Sequence, residues 1–374
     1  SQQVACRGCS CYNDGELLLF IHYRGYRRNM YVLGIESSCD ETALAVVERG
    51  ERNWVIAEKV KSQVLLHAKY GGVVPEIASR NHYEVIDYLT AGVLEEANLT
   101  IEDIGLISLT AGPGLIGALL VGLSFAKGLA FAHRIPLVGV DHIYSHIESA
   151  FIENPEIEYP LIALVVSGGH TAIFYQKSKF EAEVLSKTRD DALGEILDKI
   201  AKFFDLGYPG GPILDRIYKD GDSRRFKFTQ PRMSDGSADF SFSGYKTAVI
   251  RHPDAQHIDT GTRIFKDLIS SFLHSVVDYL LNKTTAAVDN FRVKSVVLSG
   301  GVSRNSLLRK KFTEEFAGKT VKLYLPSLHH CTDNATMVAW RGYERYIRYP
   351  DANYADFHLN SYSRAHFRES TKHR

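Results

Sequence analysis

Net charge is what this sequence lacks first. Lys plus Arg and Asp plus Glu each number 44 in 374 residues. No overall field therefore advertises a polyanionic partner, and a nucleic acid would have to be met by a local patch or by a partner subunit. Cysteine is sparse as well. Cys6, Cys9, Cys11, Cys39 and Cys331 are too few and too bunched for a secreted disulfide scaffold, which points to a reducing compartment, cytoplasmic or else mitochondrial. Cys6, Cys9 and Cys11 find no second cluster with finger-like spacing, so they assemble no structural zinc site. No unbroken apolar span exists either. Gly105 to Ala126 carries no charge and is long enough for a bilayer, but Gly112-Pro113-Gly114 interrupts it. It reads as a buried strand, Leu106 to Thr110, then a small-residue helix, Leu115 to Arg134. A Walker A loop is absent.

What is present suits a soluble enzyme of two domains with a cleft between them. Val32 to Glu48 reads as strand, polar turn (Ser37-Ser38-Cys39-Asp40-Glu41), strand. Leu161 to Gln176 repeats that pattern around Ser167-Gly168-Gly169-His170. Helices and strands alternate after both copies, so the fold class is α/β with two similar lobes. Residues 1–29 read as an extension without a fold of its own. The first lobe takes 30–153 and regains 331–350, the second takes 154–330, and 351–374 read as a loose tail.

The chemistry-bearing residues start with His142 and His146. Asp141 is a good N-cap for a helix running to about Ile152, and histidines at i and i+4 share one face of it, as two ligands of one metal would. Imidazole suits iron or zinc, with a carboxylate to complete the set. A zincin would need a Glu beside the first histidine, where Ile143 stands, so a metalloprotease lacks its base. Asp333 is either the N-cap of the last helix or a third ligand.

Gly112-Pro-Gly114-Leu-Ile-Gly117 formally matches a dinucleotide fingerprint, with Asp141 near the place of a ribose acid. It sits deep in the lobe rather than at its first strand, so a tight turn with close helix–strand packing is the better account. Two other glycine turns, Val165-Val166-Ser167-Gly168-Gly169 and Ser299-Gly300-Gly301, end buried strands and leave backbone amides open to a ligand. Asp198 and Asp215 flank a further turn, Gly210-Gly211, and an acid beside glycines suits ribose hydroxyls.

Taken in order, Gly34-Ile-Glu-Ser-Ser-Cys-Asp-Glu-Thr42, Ala111-Gly-Pro-Gly-Leu115, His142-x-x-x-His146, Val166-Ser-Gly-Gly-His-Thr171, Tyr208-Pro-Gly-Gly-Pro212, Phe240-Ser-Phe-Ser-Gly244, Ser299-Gly-Gly-Val302 and Cys331-Thr-Asp-Asn334 resemble the universal tRNA N6-adenosine threonylcarbamoyltransferase family, TsaD-type in bacteria. That family belongs to the actin/Hsp70/sugar-kinase superfold, with two RNase H-like lobes. The resemblance spans about Met30 to Tyr349. It implies one divalent metal, iron with zinc as the alternative, held by His142, His146 and Asp333. It implies an adenylate site of Val165, Val166, Ser167, Gly168, Gly169, Asp198, Gly211, Asp215 and Asn305. The substrates would be threonylcarbamoyl-AMP and adenosine 37 of tRNAs reading codons that begin with A. Asp40 and Glu41 are the candidates for positioning or proton transfer. In bacteria the partners would be a TsaB-like paralogous subunit and a TsaE-like ATPase, and no membrane is involved.

Between Arg216 and Arg251 lie eight basic residues, with Phe226, Phe228, Phe240 and Phe242 interleaved, a pattern that suits a tRNA arm through phosphate contact and stacking or a solvated face over core aromatics. A sugar-kinase-like phosphotransferase on the same superfold leaves two histidines one turn apart without a role. A non-catalytic scaffold would tolerate degenerate glycine turns, which are intact here.

Overall fold

The computed structural model describes residues 29–51, 53–253, 258–354 and 357–365. The extension read over 1–29 therefore lies outside the described residues, except for its last position. The chain order is β1 (Asn29–Glu36), β2 (Glu41–Gly50), β3 (Trp54–Ser62), α1 (Val64–Ala68), α2 (Pro75–Glu96), β4 (Ile104–Gly112), α3 (Ile116–His133), β5 (Leu137–Asp141), α4 (His142–Glu153), β6 (Leu161–Val166), β7 (Thr171–Ser178), β8 (Glu181–Lys187), α5 (Leu193–Phe203), α6 (Gly210–Ile217), α7 (Ser243–Ile250), α8 (Arg263–Phe291), β9 (Ser295–Ser299), α9 (Ser306–Phe316), β10 (Lys322–Tyr324) and α10 (Ala335–Arg348).

The same sheet is built twice. One has strand order β3-β2-β1-β4-β5 and the other β10-β9-β6-β7-β8. In each, three consecutive strands pair antiparallel, and the first of them, β1 or β6, then takes a parallel neighbour, β4 or β9. The echo between Val32–Glu48 and Leu161–Gln176 is thus the opening hairpin of each copy. β4 and β6 are buried almost throughout, as parallel strands covered on both faces must be.

The helix that ends each lobe crosses to the other. α4 follows β5 of the first sheet, yet Ile143, Tyr144, Ile147, Ala150 and Phe151 pack on Leu161, Ala163, Val165 and Phe174 of the second. α10 follows β10 of the second sheet, while Met337, Val338 and Ala339 pack on Val32, Val47, Leu106 and Val138 of the first. Glycines let α10 lie this close. A side chain at Gly34 would overlap the Ala335 carbonyl and come within 2.9 Å of Ala339 Cβ, and one at Gly342 would overlap Ser108. The two exchanged helices touch each other, and their junction is where the histidines and Asp333 meet.

The Gly112–Gly117 segment behaves as a packing turn. A Cβ on Gly114 would lie 2.5 Å from the Ser38 carbonyl. α3 is long and apolar enough to cross a membrane by length and composition, but Ala118, Leu119, Leu123, Ala126 and Ala130 are buried inside the fold. Of the tail expected to be loose after residue 350, the described residues 351–354 and 357–365 dock on the first lobe. Tyr354 is buried and its carbonyl accepts from Leu137 N at 2.9 Å, Leu359 covers Gly139, and the Tyr362 hydroxyl donates to Asp141 Oδ2 at 2.7 Å. Aromatic side chains that find both apolar cover and a polar partner dock a segment without any helical period for sequence reading to detect.

Candidate active site

α4 begins where Asp141 accepts hydrogen bonds from Ile143 N at 2.9 Å and Tyr144 N at 3.1 Å. That cap fixes the helical register, so His142 and His146 point the same way, with ring centroids 4.6 Å apart. Facing the histidines, it is Asn334, not Asp333, that caps α10, its side chain accepting from Met337 N at 2.8 Å. Asp333 is left to face the histidines. Its Oδ1 lies 3.5 Å from His142 Nε2 and 3.1 Å from His146 Nε2, and one donor atom from each of the three residues lies within 4.8 Å of the others.

Is the set suited to a metal? Both ring nitrogens of His146 are buried; Nε2 has only the Asp333 carboxylate nearby and Nδ1 has no hydrogen-bond partner, an expensive state for a side chain that has nothing to bind. Two imidazoles and a carboxylate are a common donor set for iron or zinc. Burial works against a charge on His142, but Asp333 and then Glu36 outweigh it and push the imidazole up to about 10. Asp333 is held well below the usual carboxylate range, the histidines overcoming its burial.

Glu36 was missed at the sequence level. It ends β1 fully buried. One oxygen accepts from Ser38 N at 2.6 Å. The other takes the Thr110 hydroxyl at 2.5 Å and lies 3.2 Å from His142 Nδ1. A carboxylate behind a histidine fixes its tautomer and aims the other nitrogen outward. The available signal was a lone acid closing an otherwise apolar strand. His170 stands in the turn between β6 and β7. It is mostly buried, and burial, followed by His142 and His146, pushes it down to about 4, so a neutral imidazole stands beside the pair.

The Asp40–Glu41 turn lies against the same space. Gln63 N donates to the Asp40 carbonyl at 2.9 Å, and His82 bridges Thr42 at 2.7 Å and the Cys39 carbonyl at 3.0 Å. Burial and then Asp333 raise the Asp40 carboxyl, and burial and then Asp40 raise Glu41 well above the usual range.

On the second lobe the predicted ligand-binding residues fall into two groups. Val165 and Val166 are buried strand residues, Ser167 is buried too, and exposure begins at Gly168. Gly168 and Gly169 are exposed, and a side chain on either would meet nothing within 4 Å. The protein's own packing therefore does not require glycine there, and the space is open to a ligand. Gly194 and Gly300 differ, since a Cβ would come within 2.7 Å of Gly168 Cα and 2.5 Å of the Val166 carbonyl. Gly300 also has φ of +88°, the region where an L side chain is strained. Asp198 Oδ1 accepts from Gly210 N at 2.7 Å, beside Gly211. Burial, with Asp40 across the cleft adding to it, pushes Asp198 up to about 6.

Asp215 and Asn305 form the second group, engaged with the protein itself. Asp215 Oδ1 accepts from Ser306 N at 2.9 Å and Ser306 Oγ at 3.0 Å, and Asn305 caps α9 through Leu308 N at 3.0 Å.

The stacking expectation for the 216–251 stretch needs a correction. Phe240 and Phe242 are fully buried in the second lobe's core, because a loop that crosses a core must fill it. Phe226 and Phe228 remain partly open and, with Lys227, line a groove of about 420 Å³. Much of the charge is paired within the fold, Arg225 with Asp267 at 3.1 Å and Lys246 with Asp191 at 3.1 Å.

A sequence profile of tRNA N6-adenosine threonylcarbamoyltransferase, TsaD, matches residues 54–340. The chain is 47% identical over 317 residues to the tRNA N6-adenosine threonylcarbamoyltransferase of Thermosipho africanus, covering 85% of this chain and 94% of the relative. It is 48% identical over 314 residues to that of Fusobacterium nucleatum, covering 84% and 91%. Among solved structures the fold is similar to that of HypF from T. kodakarensis, with TM-score 0.59 and 14% identity over 86% of this chain and 48% of that one. The two mixed sheets with their helices are accordingly an actin-like fold, and the chain belongs to the tRNA N6-adenosine threonylcarbamoyltransferase family.

Proposed function

We propose that this chain transfers the threonylcarbamoyl group from threonylcarbamoyl-AMP to N6 of adenosine 37 in tRNAs that read codons beginning with A, releasing AMP. The observation that carries the reading is the meeting of His142, His146 and Asp333 at the junction of α4 and α10, beside the open Ser167–Gly169 turn. His142, His146 and Asp333 would hold one divalent cation, iron by family resemblance. Bound there, it would act as a Lewis acid and template toward the acyl group.

The chain's own residues do the rest. The Gly168 and Gly169 amides and the Gly210–Gly211 turn receive phosphate and ribose, with Asp198 as acceptor for a hydroxyl. The N6 amine forms a bond to the carbamoyl carbon as the bond from that carbon to the phosphate oxygen breaks. The amine proton passes to a carboxylate, and Asp40 or Glu41 suits this because burial raises both. Holding amine and acyl carbon in line supplies much of the rate, since an exocyclic adenine amine is a weak nucleophile. Phe226 and Phe228 with their basic neighbours are the tRNA-facing candidates. A TsaB-like subunit and a TsaE-like ATPase are the expected partners.

The test is reconstitution. Unmodified tRNA, threonine, bicarbonate, ATP, an adenylate-forming enzyme and the candidate partners are incubated with the chain, and the digested tRNA is searched for threonylcarbamoyladenosine. Phosphate transfer to a small hydroxylated substrate, with no modified nucleoside, would replace this reading by a sugar-kinase-like one.

Asp198 supplies a pH signature. Its carboxylate is charged only above about 6, and the charged form is the acceptor, so adenosine binding should weaken as pH falls through that value. A single proton gives at most roughly tenfold per pH unit. Calorimetry between pH 5 and 8 on wild type and Asp198→Asn should show a sloped profile for the first and a flat, weaker one for the second. A flat wild-type profile removes Asp198 from the site.

A further inference from the structure

A second group of donors stands outside the site just described. Glu58 on β3, His329 and His330 each offer one donor atom, and the three lie within 4.8 Å of one another. His329 Nε2 is 2.6 Å from Glu58 Oε2. The Glu58 side chain is only 6% exposed although it sits on an edge strand.

Two of the three side chains are already held from behind. Glu58 Oε1 accepts from Ala335 N at 3.0 Å and Thr336 N at 2.9 Å at the start of α10, and from the Thr336 hydroxyl at 2.9 Å. That anchors the carboxylate and leaves Oε2 facing the histidines. His330 Nδ1 lies 3.1 Å from Glu153 Oε1 and 3.3 Å from Ser327 Oγ, so its tautomer is set and Nε2 is left for a ligand. A carboxylate or hydroxyl behind each donor is how protein metal sites orient their first ligands. The His329 and His330 rings are 5.1 Å apart, edge to face, so neither stacks flat against the other and covers its nitrogens.

We propose that Glu58, His329 and His330 form a second metal site, separate from the His142–His146–Asp333 group, which takes a zinc-class divalent cation. Two imidazoles and one carboxylate with a coordination position left for water is a donor set that zinc fills. Its position gives it a task. His329 and His330 lie in the segment that leads into Asp333, and Glu58 belongs to the edge of the first sheet. A bound ion ties that segment to the sheet and stiffens the approach to Asp333.

The test counts zinc by elemental analysis and measures its affinity by competition with a chromophoric chelator, on the full chain. Wild type should bind two equivalents, and His142→Ala/His146→Ala one. His329→Asn, an exposed position whose loss leaves the fold intact, should lower the remaining affinity at least tenfold. Glu58→Gln retains the helix-capping oxygen and should do the same. Circular dichroism confirms that each variant is folded. A folded His142→Ala/His146→Ala protein that binds no zinc, or zinc retention untouched by His329→Asn, leaves Glu58–His329 an ordinary ion pair and overturns the proposal. Neither result bears on the transferase reading, which the reconstitution assay judges by itself.

Discussion

Asp333→Asn should leave a folded protein that no longer retains its metal and no longer modifies tRNA. The substitution is nearly isosteric and spares Asn334, the residue that caps α10 through Met337 N, so the helix start survives. What is lost is the one negative charge directly between His142 and His146. Glu36→Gln is the graded companion. It keeps the shape behind His142 and an acceptor for Thr110 but removes the charge that aims the ring, and changes of that kind typically lower metal affinity about 10–100-fold. Metal content after dialysis, with competition titrations for Glu36→Gln, should rank wild type above Glu36→Gln and Glu36→Gln above Asp333→Asn. Equal metal content in Asp333→Asn and wild type would remove Asp333 from the site.

The second large effect concerns stability. Arg341 on α10 donates to Glu148 on α4 at 2.8 Å and to the Lys179 carbonyl at 3.0 Å, and its guanidinium lies 4.5 Å from the Phe180 ring. Both side chains of the ion pair are 1% exposed. Removing one partner of such a pair leaves an uncompensated charge in the core, which costs about 3–5 kcal/mol. Arg341→Met should therefore shift the denaturant midpoint far below that of wild type. Glu148→Leu in the same chain should recover most of the loss, because an apolar pair of similar volume avoids desolvating two ions. A double variant no more stable than Arg341→Met would mean that the Lys179 carbonyl and the Phe180 stack, not the ion pair, carry the stabilisation. The pair binds α4 to α10, the helices bearing the histidines and preceded by Asp333, so metal affinity in Arg341→Met should fall along with stability.

Much of this site was legible before any coordinates. His142 and His146 are spaced by one helical turn, and Asp141 before them is a plain N-cap, so local chemistry decided both. The Ser167–Gly169 turn was legible for the same reason, since a buried strand that stops at small residues exposes amides. What stayed hidden depended on partners far along the chain. The apolar faces of α4 and α10 announce burial but not against which sheet, and each in fact packs on the sheet it does not follow. Glu36 looks like the polar edge of a turn until Thr110 arrives from β4 and His142 from α4. Phe240 and Phe242 alternate with serines, a pattern shared by exposed stacking platforms and by loops that fill a core. Their full burial settled that choice.

The exchange of the two helices also orders events in time. Val32, Val47, Leu106 and Val138 of the first sheet are covered by Met337, Val338 and Ala339, which a ribosome delivers some three hundred residues after Val32 (305 to Met337). Chains synthesised from the N-terminus fold in that direction where contacts are local. Here the first lobe must wait with one face of its sheet open, and Asp333 reaches His142 and His146 only after the second lobe has been synthesised. A nascent chain stalled before Asp333 would hold the histidine pair without its carboxylate.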